Sequence, residues 1–184
     1  MIPVHTLPDA FSAADCARLL GQIAEAPARD ARLVGRVGAD HNIRRADLVW
    51  LDDLPGTDWV MDRLIDIARV ANREVFDFDV TEFAESPQVA RYDSAREGHF
   101  DWHSDIGDGR LAERRKLTIV VQLSAPGEYE GGVLEVMPGT HLVAANTAQG
   151  AATVFPAFVL HRVTPVTSGT RHSLTVWCHG PKFR

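Results

Sequence analysis

Leu117-Thr118-Ile119-Val120-Val121-Gln122-Leu123-Ser124 is a short β-branched run with Pro126-Gly127 just beyond it, and such a run reads as a β-strand. The same texture recurs on both sides. Upstream lie Gln88 to Tyr92 and His99 to Ser104; downstream lie Val133 to Met137, Ala152 to Phe155, Leu160 to Val166 and Arg171 to Cys178, with a weaker run at Leu142 to Asn146. Gly and Pro punctuate them throughout. About eight strands at this spacing predict a double-sheet jelly roll or a barrel.

The N-terminal part reads differently. Ser12 is a candidate cap, after which Cys16, Leu19, Leu20 and Ile23 recur at helical period until Pro27. Between about Asp58 and Glu74, Val60, Leu64, Ile67, Ala68 and Ala71 repeat at steps of three and four. Gly35 to Asp47 is Gly-containing and charged with little periodicity, a loop leading into the apolar run Leu48-Val49-Trp50-Leu51. The expected fold is α+β, mainly β: a double-stranded β-helix, or jelly roll, with N-terminal flanking helices on one sheet. One domain is expected over 1–184, with a helical buttress at about 1–86 and a jelly-roll core at about 87–184.

Composition narrows the partners. With 184 residues, 45% apolar and 24% charged, the chain has the balance of a globular domain rather than a disordered one. A formal charge of −6 argues against nucleic-acid binding, and Arg114-Arg115-Lys116 is too short a basic run to reverse that. No apolar stretch is long enough to span a bilayer and the N-terminus lacks a signal-like core, so no membrane partner and a cytoplasmic location are expected. Cys16 and Cys178 lie far apart and read as reduced, part-buried thiols. A homodimer is compatible with all of this.

Of the eight histidines, His103 stands out by its company. In His99-Phe100-Asp101-Trp102-His103-Ser104-Asp105, strand alternation places His99, Asp101, His103 and Asp105 on one face. Either Asp101 or Asp105 could join His103 in one coordination sphere. Two His and one carboxylate with open positions is the arrangement of non-haem Fe(II) oxygenases. A further candidate ligand is His161, with His141 as its competitor. After His161 and a Gly turn comes Arg171, whose planar guanidinium suits a carboxylate. It shares a face with Ser173, Thr175 and Trp177, a polar pocket wall rather than a core face. His99 is expected beside the site or in solvent, and His172 and His179 to be structural or exposed. Gly131-Gly132 reads as a turn opening a strand rather than a phosphate loop.

Taken together, Tyr92, His103-x-Asp105, Leu117 to Ser124, Tyr129-Glu130-Gly131-Gly132-Val133-Leu134 and His161-x-Val163-x-Pro165-Val166-x-x-Gly169-x-Arg171-x-Ser173-Leu174 resemble the Fe(II)- and 2-oxoglutarate-dependent dioxygenases, prolyl-4-hydroxylase-like branch. The resemblance implies that His103, Asp105 and His161 ligate iron, which selects Asp105 over Asp101. It implies that Arg171 pairs with the distal carboxylate of 2-oxoglutarate, that Ser173 and Tyr92 orient it, and that Trp177 lies near the metal. Many relatives have a tyrosine where this chain has Phe100, so one cosubstrate contact is absent.

The implied activity is hydroxylation of an aliphatic C–H bond in a peptidyl proline or other amino-acid-like substrate, consuming O₂ and releasing succinate and CO₂, with ascorbate as accessory reductant. Val163, Trp177 and Leu123 are expected as apolar walls of the site. The loops Gly35 to Asp47 and Ile106 to Arg115 are expected at its entrance, with Arg44 and Arg45 influencing substrate more than cosubstrate. Two other classes are compatible with the residues: a cupin-type metalloenzyme that does not use 2-oxoglutarate, and a non-catalytic metal- or ligand-sensing jelly roll.

Overall fold

The computed structural model describes residues 2–30 and 43–184. In chain order, β1 (His5–Leu7) precedes α1 (Ala13–Ile23), followed by β2 (Arg29–Asp30), β3 (Arg44–Arg45), β4 (Asp47–Trp50) and α2 (Asp58–Ala71). The strand-rich part then runs β5 (Gln88–Asp93), β6 (His99–His103), β7 (Arg115–Gln122), β8 (Tyr129–Gly131), β9 (Leu134–Met137), β10 (Val143–Ala144), β11 (Ala152–Pro156), β12 (Leu160–Val163) and β13 (Val166–His179).

Among the described residues these strands make two antiparallel sheets. The larger runs β1-β11-β7-β13-β5-β4-β2, with β8 attached to one end of β13; the smaller runs β10-β9-β12-β6-β3. The expected jelly roll is therefore present, with both helices on its outside. Residues before 87 supply the helices, and also β1 and β4, which extend the large sheet against β11 and β5.

Local chemistry explains the helices. Ser12 caps α1 reciprocally: its hydroxyl accepts the Asp15 N–H and the Asp15 carboxylate accepts the Ser12 N–H, both at 3.0 Å. The apolar face of α2, Val60, Leu64, Ile67, Ala68 and Ala71, is buried as its period requires. Beyond Ala71 the helix widens into a π turn over Asn72–Phe76 and ends at Asp77, which has φ +51°. No helix among the described residues is long and apolar enough to cross a membrane.

The central strands have a different face on each side. From β7 and β13, Leu117, Ile119, Val121, Leu174, Val176 and Cys178 join Leu19, Val60 and Leu64 in an outer apolar core. Their opposite faces look into the space between the sheets, where Val120, Leu134, Val136, Phe155 and Val163 form a second cluster.

One expected turn is absent. Gly169 lies within β13 rather than in a turn before it, at φ +69°, and a Cβ there would meet the Glu128 carbonyl oxygen at 2.1 Å. The glycine permits β8 to approach closely. The turn falls instead at Thr164-Pro165, between β12 and β13.

Candidate active site

Pairing in the small sheet brings the two key histidines together. His103 on β6 and His161 on β12 are direct cross-strand partners, with ring centroids 4.1 Å apart. One step along, Phe100 pairs with Val163, so β6 carries one more residue than β12 over this span. That bulge corrects the simple alternation expected for His99 to Asp105. It places Phe100 with His103, stacked at 3.4 Å and 13°, and leaves Asp101 exposed.

Asp105 completes the group from the loop after β6. It is 8% exposed, and its N–H donates to the Ala157 carbonyl at 2.8 Å. Its Oδ1 lies 3.7 Å from His103 Nε2 and its Oδ2 3.4 Å from His161 Nε2. One donor atom from each of the three residues falls within a mutual 4.8 Å. His141 is exposed and outside the group.

The donor atoms are prepared for a cation. His103 Nδ1 is 2.7 Å from the Asp101 carbonyl and His161 Nδ1 is 3.0 Å from the Val159 carbonyl. A carbonyl only accepts, so each Nδ1 donates to it and each Nε2 is the nitrogen turned toward Asp105. Burial, reinforced by the neighbouring His161, pushes His103 down to about 4, so it is neutral at neutral pH. Burial alone would raise the Asp105 carboxyl; His161, His103 and a 2.6 Å hydrogen bond from the Thr118 hydroxyl outweigh it and hold the group below its ordinary value. Adjacent ligands at about 2.1 Å from one ion lie about 3 Å apart, so two imidazole nitrogens and a carboxylate at these separations fit a divalent transition metal.

A cavity of about 510 Å³ opens from this group between the sheets, the size of a small-ligand site. Tyr92, Ser173, Thr175 and Trp177 from the large sheet and Val163 from the small one line it. Leu123, expected as a wall, belongs to the outer core instead, because it follows β7 on the face turned toward the helices. From the expected entrance loops, Ile43, Arg44, Ile106, Gly107, Asp108 and Arg115 reach the cavity; residues 35–42 lie outside the described residues.

Arg171 is 2% exposed and sits behind Ser173 rather than on the main cavity wall. Its Nε donates to Gln122 Oε1 at 3.1 Å and its Nη1 to the Ser173 hydroxyl at 3.3 Å, and its guanidinium lies 5.6 Å from the Tyr92 ring centre. It lines a smaller void that shares Val120 and Leu134 with the main cavity. Burial lowers its pKa, opposed by Tyr92 and Tyr129.

Sequence reasoning missed a buried relay behind Asp105. His179, fully buried, accepts the Ala84 N–H on Nδ1 and so donates from Nε2 to Glu85 at 2.9 Å. Glu85 takes both arms of Arg115, at 2.5 and 2.6 Å, and Arg115 Nη1 donates to the Asp105 carbonyl at 2.9 Å. The Arg115 guanidinium also lies 3.8 Å from the Trp177 ring centre. Trp177 Nε1 is near enough to Asp105 to help lower its pKa, yet outside hydrogen-bonding geometry. No local pattern signals contacts between residues as distant in sequence as 85, 115 and 179.

The 2OG-Fe(II) oxygenase superfamily matches residues 87–179, half of the chain, and the chain belongs to this superfamily, whose members use Fe(II) and 2-oxoglutarate. Among curated proteins, a PKHD-type hydroxylase of Sphingopyxis alaskensis is 32% identical over 56% of this chain and 48% of its own length. A PKHD-type hydroxylase of Delftia acidovorans is 36% identical over 50% of this chain and 42% of its own. The chain thus spans less than half the length of these relatives. Among solved structures, a Trichoplax adhaerens prolyl hydroxylase in complex with a hypoxia-inducible-factor peptide fragment superposes with a TM-score of 0.81, covering 96% of this chain and 83% of that one at 15% identity. A Pseudomonas putida prolyl-4-hydroxylase gives 0.75, covering 98% and 94% at 19% identity. At such identities the likeness speaks for the fold.

Proposed function

We propose that this chain is an Fe(II)- and 2-oxoglutarate-dependent hydroxylase of an aliphatic C–H bond, with a peptidyl proline or other amino-acid-like molecule as substrate. The observation that carries the reading is the convergence of His103, Asp105 and His161 donor atoms at the floor of a ligand-sized cavity. The names of the relatives support it, since those proteins are hydroxylases, and those of the solved neighbours point to prolyl residues.

Each residue then has a task. His103, Asp105 and His161 would hold the iron through two imidazole nitrogens and a carboxylate beside the cavity. Arg171 meets the distal carboxylate of 2-oxoglutarate, with Ser173 and Tyr92 orienting it and Trp177 beside the metal. Bound iron supplies the chemistry by which O₂ decarboxylates 2-oxoglutarate to succinate and CO₂ and delivers one oxygen atom to the substrate C–H bond. Thr118 and Arg115 fix the Asp105 carboxylate and backbone, while Val163, Trp177 and Leu134 exclude water from the reacting atoms.

The test is anaerobic titration of metal-free protein with Fe(II) and then 2-oxoglutarate, following the visible metal-to-ligand charge-transfer band. The band is expected in the wild type, lost in Asp105→Ala and shifted to higher 2-oxoglutarate concentration in Arg171→Ala. Iron binding with no band at any concentration refutes the reading.

A further inference from the structure

Among the described residues three arginines are buried around the site, and they differ in what answers their charge. Arg115 has Glu85 and the Asp105 carbonyl, and Arg171 has Gln122 and Ser173. Arg44 is 7% exposed and lines the main cavity, yet among the described residues its guanidinium makes no hydrogen bond and no ion pair, and its Nε is buried without an acceptor. Asp108 lines the same cavity but is exposed and unpaired with Arg44. What holds Arg44 there is geometric. It is the cross-strand partner of Phe100, so its guanidinium lies over that ring at 4.4 Å, and Phe100 in turn stacks on His103. A stacking contact replaces little of the solvation that the buried Nε loses.

We propose that Arg44 anchors a carboxylate carried by the substrate, which makes the substrate of the proposed hydroxylase an anion; this rests on the hydroxylase reading above. Charge supports the assignment. Fe(II), one carboxylate ligand, doubly charged 2-oxoglutarate and Arg171 sum to neutrality, and Arg44 adds a positive charge that none of them matches. One planar carboxylate is its complement, through two parallel hydrogen bonds.

Position separates Arg44 from the cosubstrate. Arg171, Ser173 and Tyr92 are on the large sheet, whereas Arg44 is on β3 at the edge of the small one, next to Ile43, which also lines the cavity. The carboxylate is either the α-carboxylate of the residue oxidised or an acidic side chain beside it.

Equilibrium binding tests this without turnover. The 184-residue chain loaded with Mn(II) and 2-oxoglutarate is titrated with N-acetyl-L-proline and its amide, and with N-acetyl-aspartyl-prolinamide and its asparaginyl counterpart. Fluorescence of Trp102 and Trp177, both on the cavity wall, reports binding. In at least one pair the acid is expected to bind about tenfold tighter than its neutral partner. Arg44→Gln should erase that preference, and Arg44→Lys should keep part of it.

Equal affinity within both pairs in the wild type, or no saturable binding of either acid, overturns the proposal without relying on any variant. So does an Arg44→Gln protein whose 2-oxoglutarate affinity falls as far as its acid affinity, which would make Arg44 a cosubstrate residue. Failure of the wild type to bind 2-oxoglutarate sinks the hydroxylase reading separately, and the acid-over-amide comparison with Mn(II) alone still decides the role of Arg44.

Discussion

Ile119 and Thr118 are neighbours on β7, both fully buried, and they serve opposite purposes. Ile119 faces the helices with Leu117, Val121, Leu174 and Val176, in the outer apolar core. Thr118 faces the other sheet, where burial encloses Asp105, His161, Arg171, Gln122 and Ser173. The outer face removes apolar surface from water, which drives folding. The inner face removes water from charges, which strengthens each hydrogen bond and ion pair and makes every unanswered one costly. The same strands therefore carry stability on one side and chemistry on the other.

The comparison is broken most severely at Asp105. Asp105→Ala deletes one of three donors, and Fe(II) affinity should fall by more than about 100-fold, beyond what loss of a supporting hydrogen bond usually costs. Calorimetric Fe(II) titration measures this, and urea unfolding of the metal-free protein should move far less. Leu174→Ala is the converse. Fully buried between β13 and the helices, it should cost about 2–5 kcal/mol of stability by urea denaturation. Metal affinity of the molecules that remain folded should be nearly unchanged. If Leu174→Ala weakened metal binding as much as Asp105→Ala, the two faces would not be separable.

Glu85 sharpens the comparison, because it is a charge at the rim of the inner face. Burial would raise its pKa, but hydrogen bonds from His179 and Arg115 pull it down to about 2 from an ordinary 4.5. A carboxyl depressed in the folded state contributes stability that is full above about pH 4.5 and lost as pH falls toward about 2. Glu85→Gln should therefore cost about 2–3 kcal/mol near neutral pH. The gap between variant and wild type should narrow on acidification from pH 5 to 3, read by urea unfolding at each pH. A gap that stayed constant would mean the Arg115–Glu85–His179 relay contributes through shape and not charge.

How much of this could be read from the chain follows the same division. The outer face was legible: Val60, Leu64 and Ile67 announce α2 by period, and the β-branched runs announce β5, β7, β11 and β13, because apolar burial repeats at fixed intervals. His103, Asp105 and His161 were legible as residue types with a known order. Face assignment in β6 was not, since the bulge that stacks Phe100 on His103 depends on its pairing with β12. The strands β1 and β3 are three and two residues long, too short for any period to show. The Arg115 relay and the isolation of Arg44 depend on contacts distant in sequence. Burial of charge leaves no periodic trace, and only its partners in space reveal it.

Thr118→Val is the smallest change and the most direct comparison of the two faces. Valine has nearly the shape of threonine, so packing changes little and the effect of the substitution comes from the lost hydroxyl. At position 118 it removes the hydroxyl that donates to Asp105 Oδ2 at 2.6 Å, the oxygen nearest His161. The carboxylate then loses both a rotational restraint and a donor favouring its charged form. Fe(II) affinity should drop by about tenfold, the lower end for a residue that supports a ligand without touching the ion. Thr118→Ser, which restores the hydroxyl but not the methyl, should recover most of that affinity while losing some packing against Val120 and its neighbours. Valine weakening the metal and serine sparing it would show that Thr118 is buried for its oxygen. The opposite order would place it with Ile119, as core that happens to be polar.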